Sequence, residues 1–226
     1  MEHCAPLRPD YPAWRRTSSE EFVNALTHGL GFVVAVAGSL VMMSGVLALG
    51  NTELAIGCGA YLASLLAVYA MSTLSHSATS VRWKSLFRQL DQAFIYVLIV
   101  GTYTPFSLAY LHGWIWNTLL GTMWAVALVG FSAKVLFAHR VEAVSVGSYV
   151  MLGWMPIVAL PVLYHVAPQG VFQAIVAGGA FYTVGTLFLV YDEQVKHFHA
   201  IWHLCVITGS ACHFLGLLFF VVRGGI

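Results

Sequence analysis

HAIWHLCVITGSACHFLGLLFFVV, residues 199–222, begins with two histidines four apart and continues as an almost wholly apolar run. A helix needs about 20 apolar residues to cross a hydrocarbon core, and this run supplies them. Six further stretches have the same character, at roughly 26–49, 54–76, 91–111, 114–136, 145–165 and 169–191. The breaks between them are short and polar, such as GNTE (50–53), SATSVRWKSLFRQ (77–89) and DEQVKHF (192–198). Only helices and closed barrels satisfy the backbone in lipid, and barrel strands would alternate in pieces of about 10 residues. Continuous runs therefore predict an all-α membrane protein, a seven-transmembrane helix bundle over residues 20–226. A flexible segment, 1–19, precedes it.

Composition points the same way. The 226 residues are 59% hydrophobic and 8% charged, with a mean hydropathy of +0.81, whereas soluble domains carry about 25% charged residues. A formal net charge of +1 and the lack of a basic tract give no sign of nucleic acid. Cys58, Cys205 and Cys212 lie in apolar runs and read as small hydrophobes rather than redox or metal groups. The polar N-terminal stretch has no short apolar region or cleavage site, so no removable signal peptide is expected.

Lysine and arginine set the expected orientation. Arg8, Arg15, Arg16, Arg82, Lys84, Arg88, Lys134, Arg140 and Lys196 fall at one end of the bundle, and Arg223 alone at the other. The positive-inside rule then places the N-terminus in the cytoplasm and the C-terminus outside. Ser18-x-x-Glu21 fits a capping box for the first helix, which would run from about 19 to 49 and measure about 46 Å.

Ionisable groups within spans are costly and therefore functional candidates. The predicted topology brings Glu21, Asn24, His28, Ser72, His76, Asp91, His199 and His203 to the basic end. Residues i and i+4 share a helix face, so His199 and His203 are placed to hold one ion, and His76 would complete a three-histidine set. Three protein ligands and an open fourth position is the pattern of catalytic zinc. Asp91 is a candidate general base or water-orienting group; it equally fits a ligand-orienting role or a cap on the third helix. Ser72 fits an orienting role from outside the ligand set. Glu21, Asn24 and His28 are candidates, with Ser72, for residues that support the metal ligands from behind; equally, Asn24 and His28 fit hydrogen bonds to neighbouring helices and Glu21 fits the cap. His213, deeper in the last span, reads as a buried hydrogen-bonding residue.

These residues also carry a resemblance. E21-x-x-N24-x-x-T27-H28, S72-x-x-x-H76, D91 and H199-x-x-x-H203, with GTYTPF (101–106) and GSACHF (209–214), resemble the motifs of the hemolysin III family. This family is the bacterial branch of the progestin and adipoQ receptors. The resemblance runs from about Glu20 to the end. It implies a seven-helix bundle with a cytoplasmic N-terminus, in the bacterial cytoplasmic (inner) membrane. It also implies Zn2+ held by His76, His199 and His203, with Asp91 close by through water. Glutamine stands at position 92, where bacterial members often carry histidine or an aromatic residue.

Three functions follow as expectations. The first is a zinc-dependent hydrolase of a lipid amide or ester, with a membrane lipid's acyl chain held in the bundle. The second is a membrane-homeostasis sensor or receptor with structural zinc. The third is the pore-forming cytolysin that the family name implies, which is disfavoured by the absence of a polar stripe on any span.

Overall fold

The computed structural model describes residues 16–137 and 145–224. Among these, seven helical spans are long and apolar enough to cross a membrane, and there is no strand. Helices α1 (Ser18–Ala48), α2 (Thr52–Ser77), α3 (Val81–Tyr110) and α4 (Trp114–Phe137) form the first four spans. The fifth is α5 (Ser145–Trp154), a 3-10 turn (Met155–Ala159) and α6 (Leu160–Val166); the sixth is α7 (Gln169–Val190). The seventh is α8 (Phe198–Gly216), prolonged by a π-helical turn over Leu217–Val222. The chain is a multi-pass integral membrane protein.

Local chemistry explains the boundaries. Thr17, not Ser18, caps α1: its side chain accepts from the Glu20 N–H, and the Glu20 carboxylate accepts from the Thr17 N–H. The expected box is thus displaced by one residue, which releases Glu21 for another task. Gly50 ends the first span at φ +67°, a left-handed turn that costs glycine nothing, and the Asn51 side chain caps α2. The basic stretch 77–89, expected as a loop, is mostly the first turns of α3, leaving only Ala78–Ser80 as linker. Asp91 therefore lies ten residues inside α3 and does not cap it. Proline acts differently in two spans. Pro156 and Pro161 accompany the break in the fifth span, whereas α3 continues through Pro105.

The core is centred on α3. Of its most apolar 18-residue window 67% is buried, against 11% for α7, so α7 lies outermost. Close packing of α2 on α3 depends on Gly57, where an added Cβ would fall 2.9 Å from the Pro105 Cα. Of the expected flexible segment 1–19, residues 1–15 lie outside the described residues, and Ser18 and Ser19 belong to α1.

Candidate metal centre

Three histidines converge where α2 ends and α8 begins. One ring nitrogen from each of His76, His199 and His203 lies within 4.8 Å of the others. His76 Nε2 and His199 Nε2 are 3.2 Å apart. His203, in the next turn of α8, packs its ring against both, with centroids 5.3 and 4.5 Å away. His203 is 1% exposed and His76 9%.

Each imidazole is held from behind through Nδ1. His76 Nδ1 donates to Glu21 Oε2 at 2.7 Å, and Lys84 Nζ donates to Glu21 Oε1 at 3.0 Å. His199 Nδ1 donates to Asp192 Oδ2 at 2.6 Å, and Arg16 Nη2 donates to the same oxygen at 2.5 Å. The Thr27 hydroxyl gives its proton to the Asn24 carbonyl at 2.9 Å, leaving its oxygen to accept from His203 Nδ1 at 3.1 Å. Arg16 Nη2 also lies 3.0 Å from His199 Nδ1; where the proton sits on Nδ1, as the carboxylates beside His76 and His199 favour, the Nε2 lone pair is left free. Two such lone pairs 3.2 Å apart repel each other unless a cation lies between them. Tetrahedral zinc with Zn–N of about 2.0–2.1 Å separates its nitrogens by about 3.3 Å, so the donor set fits a small metal ion. Three neutral imidazoles suit zinc among other divalent metals. Burial pushes the Asp192 carboxyl up from its usual range, and the neighbouring Arg16 pulls it back.

The other expected residues fall around this triad in different ways. Ser72 Oγ is 3.5 Å from His203 Nε2. His28 stacks face to face on His203 at 3.7 Å and also on Tyr69 at 4.9 Å. Among the described residues neither His28 nitrogen has a hydrogen-bond partner, nor has Asn24 Nδ2, so the expected side-chain bonds to other helices are not made there. Asn24 contributes its backbone carbonyl instead. His213 is buried as expected, but its Nδ1 is unpartnered. Exposed His197 caps α8 with a left-handed backbone, φ 66°.

Asp91 is not one of the converging ligands. It lines the same cavity as the triad, near Ser72. That cavity measures about 930 Å³ and extends along α3 from Arg88 to Phe106, about 27 Å at 1.5 Å per residue. Beyond the polar mouth its wall is mainly valine, isoleucine, leucine and aromatic side chains. Trp154, Ile157, Val176 and Val184 both line it and are 45–50% exposed, so it reaches the outer face of the bundle between the fifth and sixth spans.

The family described as Haemolysin-III related matches residues 16–214. The chain belongs to this family. A Hemolysin-3 of Bacillus cereus is 37% identical over 203 residues, covering 90% of this chain and 92% of that protein. The Hemolysin-3 homolog of Bacillus subtilis (strain 168) is 36% identical over 207 residues, covering 92% and 97%. The human monocyte to macrophage differentiation factor is 27% identical over 231 residues, covering 99% and 92%. No solved structure matches the chain.

Sequence reasoning missed four supports of this haemolysin-III related centre. Arg16 and Lys84 served only as charges for orientation, and Asp192 only as a loop residue. Thr27 stood inside the helix 1 motif without a role. Asp192 has no periodic relation to His199, because the turns over 191–197 separate α7 from α8. A carboxylate beside a cation was the available signal, and it is common at membrane boundaries.

Proposed function

We propose that this haemolysin III protein is a zinc-dependent hydrolase of a lipid amide or ester, working at the cytoplasmic leaflet of the bacterial inner membrane. One observation carries the reading: three converging histidine nitrogens and the Asp91 carboxylate line one largely apolar cavity of about 930 Å³. His76, His199 and His203 would hold the zinc, with Glu21, Asp192 and Thr27 fixing their tautomers and ring angles. Zinc bound there supplies a polarised carbonyl and a water whose pKa is about 7.

The remaining tasks fall to the chain. Asp91 takes a proton on a carboxylate oxygen from the attacking water and returns it to the leaving nitrogen or oxygen. Ser72 steers that carboxylate. The cavity binds the acyl chain, and its opening between the fifth and sixth spans admits lipid from the bilayer. Its apolar wall favours a lipid occupant over a water-filled pore, and so supports this reading against cytolysis.

The test is turnover of a panel of ceramides and phospholipids by detergent-purified protein and its Asp91→Asn variant. The variant should keep its metal and lose turnover by about 10²–10⁴-fold. Undiminished hydrolysis by Asp91→Asn would remove Asp91 from the mechanism. No turnover by wild type on any member would favour a structural metal in a sensor.

A further inference from the structure

Four cations line the mouth of the cavity: Arg16, Lys84, Arg88 and Lys134. Two are neutralised, Arg16 by Asp192 and Lys84 by Glu21. Arg88 feels the Asp91 and Asp192 carboxylates only at longer range, and Lys134 has no ion-pair partner among the described residues. Among the described residues no carboxylate lies within 4 Å of Arg88 or Lys134.

Lys134 is the anomaly. A lysine near a helix end in a membrane ordinarily extends its ammonium to the interface. Lys134 turns inward and is 2% exposed. Its Nζ donates to Gln92 Oε1 at 3.0 Å. An ammonium has three donors, and a neutral amide satisfies one of them without cancelling the charge. A buried cation with no counter-charge is strongly unfavourable, so the position makes physical sense when an anion sits beside it. Arg88 is one turn before Gln92 on α3, hence on the same face, and it too lines the cavity. Through Gln92, Lys134 of α4 is held beside the face of α3 that carries Arg88.

We propose that Arg88 and Lys134 form a subsite for the phosphate of an anionic lipid whose acyl chain lies in the apolar cavity. A phosphate offers several oxygens to cations on two helices, and Gln92 holds the lysine in place. The subsite lines the same cavity as the histidine triad, so the lipid's acyl linkage can lie near that triad while its phosphate is anchored here. This deepens the hydrolase reading and rests on it for the place of the acyl linkage; it narrows the substrate to lipids with an anionic headgroup.

Binding tests it, without turnover. The full chain in detergent is titrated with 1-oleoyl lysophosphatidate, with 1-oleoylglycerol and with inorganic phosphate, and followed by native mass spectrometry. Wild type should prefer the lysophosphatidate over the neutral lipid by at least about tenfold. Lys134→Met, which keeps the volume of the stem, should lose most of that preference and still bind 1-oleoylglycerol. Arg88→Gln should lose part of it, which covers the case of a poorly folded Lys134→Met. An unchanged preference in a folded variant overturns the subsite. Displacement of the lipid by an equal concentration of inorganic phosphate overturns its assignment to a lipid. Selectivity retained by a protein that hydrolyses nothing would count against the hydrolase alone.

Discussion

Glu21 shows how one residue of register changes a function. Read from sequence, Glu21 has two candidate tasks, completing a helix cap with Ser18 or supporting a metal ligand. With the cap at Thr17 and Glu20, Glu21 turns instead to His76, and Lys84 balances its charge. Asp192 and Arg16 do the same for His199. Carboxylates in this position typically contribute 10–100-fold to metal affinity. Glu21→Gln and Asp192→Asn should each weaken metal binding by about that factor, measured by chelator competition, because an amide orients the ring but does not stabilise the charge on it. An unchanged affinity in both would mean that the two carboxylates only anchor the ends of α1 and α8. The three converging histidines were legible as an i, i+4 pair on one helix and a lone histidine on another. Of their supports Glu21 was a candidate without an assigned partner and Asp192 was not seen, because these pairs lie 55 and 7 residues apart and meet only in the fold.

The helices were legible for a simple reason: only helices and closed barrels satisfy the backbone in lipid, and long continuous apolar runs belong to the helix. Boundaries were harder to read. WKSLFRQ, within 77–89, is polar enough to look like a loop, yet it forms amphipathic first turns of α3, with Arg88 and Gln92 aimed into the cavity. The backbone contact of Gly57 with Pro105 was invisible as a pair, although each glycine and proline was visible alone. Gly57→Ala should force α2 and α3 apart, since the obstructing atom is a backbone Cα rather than a side-chain tip. A loss of about 1–3 kcal/mol is expected, seen as a lower melting temperature in detergent. A variant as stable as wild type would show that the two helices adjust freely.

At the scale of the molecule, six of the seven basic residues among the described ones, Arg16, Arg82, Lys84, Arg88, Lys134 and Lys196, belong to the end that carries the triad, and Arg223 to the other. Reporter fusions should therefore be cytoplasmic at the N-terminus and external after Ile226; the reverse result would move the proposed site to the outer leaflet. The triad also joins distant parts of the chain, since His76 and His199 are separated by 123 positions. A metal there would tie the end of α2 to the start of α8 and close the polar end of the cavity. Everything proposed about chemistry depends on that ion. The decisive measurement is the metal content of protein purified in detergent, by elemental mass spectrometry, beside His76→Ala and His203→Ala. Wild type should hold about one zinc per chain and each variant far less. Full zinc in both variants, or none in wild type, would contradict the three-histidine centre.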